Sequence, residues 1–136
     1  MSLPQPVSEA LSPFYGASPR AVHRAKVELA KLVLAEAPPQ AVRQLELAER
    51  FLSGEANDAE LATEKTEVWT YIGSLACYCT VSDSASAQAV LSCLESEDRH
   101  HTIESLFEQI ERVSRCRVDA ARIMSALRHA AEHLRC

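Results

Sequence analysis

Three glycines in 136 residues exclude more than any motif in this sequence establishes. Hairpin turns draw on glycine at positive φ, so a sandwich or barrel would have too few places to turn. A glycine-rich phosphate loop is excluded as well, because Gly16, Gly54 and Gly73 stand far apart. Aromatic residues make up only 5% of the chain, so a nucleic-acid surface built on base stacking has little to work with. No run of about 18 apolar residues occurs, and none of the chain is expected to cross a membrane as a helix. No segment alternates apolar and polar residues over a useful length, so strand content is expected near zero. The opening Met-Ser-Leu-Pro-Gln-Pro has neither the basic region nor the apolar core of a secretory signal. The five cysteines, Cys77, Cys79, Cys93, Cys116 and Cys136, are therefore expected as reduced thiols of a cytoplasmic protein rather than as a disulfide framework.

What the sequence does contain is helix. It is 47% apolar and rich in alanine, leucine, glutamate and arginine, a composition that favours α-helix in a chain long enough for one domain. Pro4, Pro6 and Pro13 confine residues 1–17 to an arm with one short helix at Val7 to Leu11. Ser18-Pro19 is a helix start, with serine at the N-cap and proline at the first helical position. Val22, Ala25, Leu29, Leu32 and Val33 then make one face and Val27, Ala30 and Leu34 another, so this helix is expected to be central; Pro38-Pro39 ends it. The next helix carries Val42, Leu45, Ala48, Phe51 and Leu52 as its buried stripe. Gly54 follows it where φ > 0 is needed. Asn57 with Glu60 forms a capping box for a long helix over Asp58 to Thr80, with Leu61, Val68, Ile72, Leu75 and Cys79 on one side. Ser82-Asp83-Ser84 is expected as a break. Ala87, Val90, Leu91 and Leu94 mark a fifth helix, and Ile103, Leu106, Phe107, Ile110 and Val113 a sixth. Val118, Ala121, Met124, Leu127, Ala131 and Leu134 mark the last, either separate from the sixth or continuous with it. Five to seven antiparallel helices over residues 18–136 predict a single-domain, all-α bundle.

Charge is uneven. The net charge is −5, yet residues 41–111 hold fourteen acids against Arg43, Arg50, Lys65 and Arg99, while the chain after Glu111 has six arginines against two acids. This reads either as ordinary solvated helix surface or as an acidic face for a cationic partner. His129, His133 and Cys136, at spacings of four and three, would suit zinc on one helical face but lack a fourth ligand. His100-His101 point to different sides of a helix and read as a polar helix start. Glu60, Glu64 and Glu67 share a face as solvated carboxylates do, without a pattern for acid–base catalysis. The C-terminal arginines lack interleaved aromatics, so neither nucleic acid nor membrane is an expected partner. Trp69, the only tryptophan, lies about 100° from Val68 around the helix. It has two readings: core beneath a neighbouring helix, or an exposed anchor of the kind enriched at interface hot spots.

One segment looks like a motif. Leu45-Glu-Leu-Ala-Glu-Arg-Phe51, the turn Gly54-Glu55-Ala56, the helix start Glu60-Leu61 and then Trp69 together resemble the helical immunity proteins of bacterial polymorphic-toxin and contact-dependent competition systems. The resemblance implies a cytoplasmic protein with no reaction and no cofactor of its own, which binds a cognate toxin domain. Its implied contact residues are Glu49, Glu55, Asp58, Glu60, Glu64, Glu67 and Trp69, with Glu97, Asp98, Glu104 and Glu108 as a competing acidic zone. Complementary charge of this kind speeds capture and disfavours wrong partners. A helical adaptor, possible as a homodimer, and a small metal protein are the alternative readings.

Overall fold

The computed structural model describes residues 5–37, 39–75, 81–132 and 134, and among these it is helical with no strand. Seven α-helices follow in order: α1 Gln5–Leu11, α2 Pro19–Ala30, α3 Ala41–Leu52, α4 Asp58–Leu75, α5 Val81–Cys93, α6 Ile103–Arg115 and α7 Ala120–Glu132. They form an all-α bundle around α2, which packs against α3, α5, α6 and α7. The central place of α2 follows from its sequence, whose apolar residues occupy more than one face. Val22, Ala25, Val27, Leu29 and Ala30 are all buried. Ser18 caps it by accepting from Ala21 N at 3.2 Å, and a 3-10 turn over Lys31–Glu36 finishes it before the prolines. Arg20 donates to Leu52 O and ties the start of α2 to the end of α3.

The N-terminal segment shares this core. Val7, Ala10 and Leu11 of α1 and Phe14 after it are buried in the same cluster as Leu127 and Ala130, and α1 lies along α7. Between α3 and α4, Gly54 takes φ +84° and Glu55 N donates to Arg50 O at 2.7 Å, closing the end of α3. The capping box forms next: Glu60 N donates to Asn57 Oδ1 at 3.0 Å and Asn57 N to Glu60 Oε1 at 3.3 Å.

The structure corrects the sequence reading at Val42, at Ser82-Asp83-Ser84 and at Ala121. Val42 is 49% exposed; the buried stripe of α3 is Ala41, Gln44, Leu45, Leu47, Ala48 and Leu52, because Gln44 turns inward to donate to Glu64 at 3.2 Å. Ser82-Asp83-Ser84 are not a break but lie in the first turn of α5. The last two helices are separate, divided at Cys116-Arg117, and α7 buries Ile123, Ala126, Leu127 and Ala130 while Ala121 is exposed. Asp119 starts that helix by accepting from Arg122 N at 3.0 Å. The end expected for α4 at Cys79-Thr80 lies outside the described residues.

Arg117 is the only described non-glycine residue at positive φ, +64°. A left-handed residue with a Cβ costs about 1–2 kcal/mol, and glycine there gives back part of that through unfolded-state entropy. Arg117→Gly is expected to stabilise the fold by about 0.5–1 kcal/mol, read as a higher urea midpoint at unchanged slope.

Candidate functional site

The outer helix is α4. It packs on α5 and α3 through Leu61 and Val68, both buried, while Ala59, Ala62, Thr63, Thr66 and Thr70 face out. The hydroxyls of those threonines fold back onto the helix: Thr63 to Ala59 O, Thr66 to Ala62 O and Thr70 to Thr66 O, at 3.0–3.1 Å. The exposed strip of α4 is thereby small and internally satisfied. Trp69 stands on the same helix, 56% exposed. Its core reading is overturned, because Val68 and Leu61 take the buried side and the next position around the helix projects outward.

The carboxylates of the sequence motif gather on α3 and α4, but several have partners. Arg43 lies 3.0 Å from Glu64 and 2.9 Å from Glu67, and these carboxylates raise its pKa. Lys31 meets Glu49 at 2.9 Å, and Arg50 lies 3.7 Å from Glu60. Glu46, Glu55 and Asp58 are exposed and have no ion pair among the described residues. The α3–α4 face is thus acidic in balance, with its surplus at the turn and along the outer edge of α3. Exposed pairs of this type add little to stability, so they shape the surface more than they hold it.

The competing acidic zone borders a cleft of about 540 Å³ that reaches from Trp69 to the wall of α6. Glu104 and Glu108 line it together with Lys26, Arg99, His100 and Arg112. Glu97 instead pairs with Arg99 at 2.7 Å. Glu95 faces the cleft but is held by Lys65 at 2.8 Å.

Beneath this cleft is a buried polar cluster that sequence reasoning missed. His23 and His101 stack at 3.9 Å with 11° between their planes, at 2% and 3% exposure. His23 Nε2 donates to Cys93 O and His101 Nε2 to Glu95 O, both at 2.7 Å. Lys26 Nζ donates to His100 O and to His101 Nδ1, both at 3.1 Å. An ammonium has no acceptor lone pair, so His101 must carry its proton on Nε2, which matches its bond to Glu95 O. Gln109 closes the cluster: its amide nitrogen donates to Lys26 O at 3.1 Å and Ala89 O at 2.9 Å, and its oxygen accepts from Ser92 at 3.0 Å and Arg112 at 3.3 Å.

Burial sets the protonation of these groups. Desolvation lowers His23 to about 4 and His101 to about 3, with Lys26 adding to both shifts. It lowers Lys26 to about 8 and pushes the Cys93 thiol up to about 12. At neutral pH the stack is neutral, the thiol inert and Lys26 still mostly charged. His101 is therefore no solvated helix start, which corrects the reading of the His100-His101 pair.

Among the described residues no group of three or more metal-ligating side chains converges; His133 and Cys136 of the zinc reading lie outside the described residues, as do Cys77 and Cys79. No described helix is long and apolar enough to cross a membrane. The fold and the surface define an all-α bundle with an outward-facing tryptophan beside an acidic helix pair. Comparison of the chain with protein-family models, with curated proteins and with solved structures finds no match.

Proposed function

We propose that this is a non-catalytic binding protein whose α3–α4 face captures a cationic protein domain. In its sharper form, it is a cytoplasmic immunity protein that neutralises a bacterial toxin domain by covering its active site. The observation that carries the reading is Trp69, 56% exposed on a helix whose outward-facing threonines are hydrogen-bonded back to their own backbone. Leaving the only tryptophan in water forgoes the burial that a large aromatic side chain brings to a core. Aromatic anchors ringed by near-neutral contacts are what interface hot spots look like. The surplus carboxylates Glu46, Glu55 and Asp58 supply the charge that steers a cationic partner. The buried cluster supports a non-catalytic role, since its histidines are stacked and hydrogen-bonded to backbone and its cysteine is held as a neutral thiol.

The test is co-expression with the toxin domain encoded beside this gene in its native genome. The wild type is expected to restore growth, and Trp69→Ala to lose protection while keeping its helicity. Lack of protection by the wild type, or protection indifferent to Trp69, overturns the proposal.

A further inference from the structure

We propose that the cleft beside Trp69 binds a small organic oxyanion, a carboxylate or phosphate carried on a planar group, with Lys26 and Arg112 meeting the anion and Trp69 covering the plane. The volume of about 540 Å³ lies in the range of small-molecule sites. What singles it out is an uncompensated charge. The other two lysines of the chain have carboxylates: Lys31 has Glu28 at 3.3 Å and Glu49 at 2.9 Å, and Lys65 has Glu95 at 2.8 Å. Lys26 is 1% exposed and has no ion pair among the described residues. It bonds only to a carbonyl and an imidazole nitrogen, which leaves one of its three ammonium protons without an acceptor. A buried cation without a counter-charge is costly, and a perturbed ionisable group in a cleft marks a functional-site candidate.

Arg112 stands next to it, joined through the Gln109 side chain, and its own pKa is lowered chiefly by burial. The acids of the cleft do not cancel this pair. Glu95 is already occupied by Lys65, and Glu108 holds Arg112 only loosely, at 3.4 Å, with its side chain 64% exposed. Lys26 and Arg112 are thus the deep cations of the cleft, while Arg99 and Glu108 stand at its exposed edge. Trp69 at the mouth gives a planar body a surface to stack on.

The test is titration of the intact protein with benzoate, adenosine monophosphate, acetate and inorganic phosphate, followed by Trp69 emission. Benzoate or adenosine monophosphate is expected to saturate with a Kd of about 1 mM or tighter, and whichever wins identifies carboxylate or phosphate as the natural group. Acetate and phosphate should bind at least ten-fold more weakly but compete. Lys26→Met should weaken the planar ligand at least ten-fold with helicity retained. If that variant does not fold, the wild type carries the test: affinity should fall as pH rises through about 8. The groups facing Lys26 are Cys93, His23 and His101, whose pKa values lie well outside that window, together with Arg112, Glu95 and Glu108. No saturation by any ligand up to roughly 10 mM, unchanged affinity in Lys26→Met, or a flat pH profile would each overturn the site.

Discussion

Lowering the pH from 7 to 4.5 is expected to destabilise this protein by about 5 kcal/mol, because two buried histidines are held deprotonated by the fold. His23 and His101 have folded pKa values of about 4 and about 3, below the ordinary 6.5. The unfolded chain therefore binds more protons than the folded one between those limits. The sign follows directly: stability is fully present above pH 6.5 and is lost as the pH falls through about 4 for His23 and about 3 for His101. With both groups engaged, the slope approaches about 2.7 kcal/mol per pH unit. A domain of this size has about 5–15 kcal/mol in hand, so two units of acidification remove a large share of it. The stack and the Lys26 ammonium are part of what holds these values down, since a proton on either ring would face the other ring at 3.9 Å. Urea midpoints at pH 7, 6, 5 and 4.5 read the slope. His23→Gln should reduce it by about half, and a wild-type stability independent of pH over this span would contradict the placement of both rings.

Phe14→Ala is expected to cost about 3–5 kcal/mol, the largest effect of any single truncation proposed here. Phe14 is 1% exposed, and it sits with Val7, Ala10 and Leu11 in the cluster completed by α7. A proline-bearing arm would ordinarily tolerate such a change. Here the arm fills the space beside α7, so removing the ring leaves a cavity that helices fixed by α2 cannot close. A urea midpoint close to wild type would show that residues 5–14 are dispensable. The same substitution should leave partner capture intact in the folded fraction, since Trp69 lies on a helix packed mainly against α5 and α3.

Helix ends were the most legible part of this fold, because capping chemistry is local. Ser18-Pro19, Gly54 and Asn57 with Glu60 each do in the structure what their spacing implies. Helix faces were less legible. Val42 and Gln44 compete for the inner side of α3, and Gln44 wins because Glu64 on α4 gives its amide a partner, a contact that no one-helix pattern contains. The buried cluster was hidden for a related reason. His23 and Lys26 are polar residues on a helix whose neighbours surround it, while Cys93, His101 and Gln109 arrive from separate segments. The signal available in the sequence was α2 itself: its apolar residues cover more than one face, and His23 and Lys26 fall among them, while Arg20, Arg24 and Glu28 hold the narrow side left to solvent. Glu60 and Glu64, read as partner contacts, also serve the fold, one in the capping box and the other between Arg43 and Gln44. Reversing their charge would disturb the helix pair itself, and Glu46, Glu55 and Asp58 are the better probes of steering.

The central claim is that Trp69 is kept out of the core to meet a partner, and its own fluorescence tests it most directly. As the only tryptophan, it reports without ambiguity. The free protein should show red-shifted emission that acrylamide quenches readily, and addition of the proposed toxin-domain partner should shift the emission to the blue and protect it. Trp69→Ala should weaken that complex by at least about 30-fold, the equivalent of a 2 kcal/mol hot spot. Emission already protected in the free protein, or unchanged when the partner binds, would contradict the account.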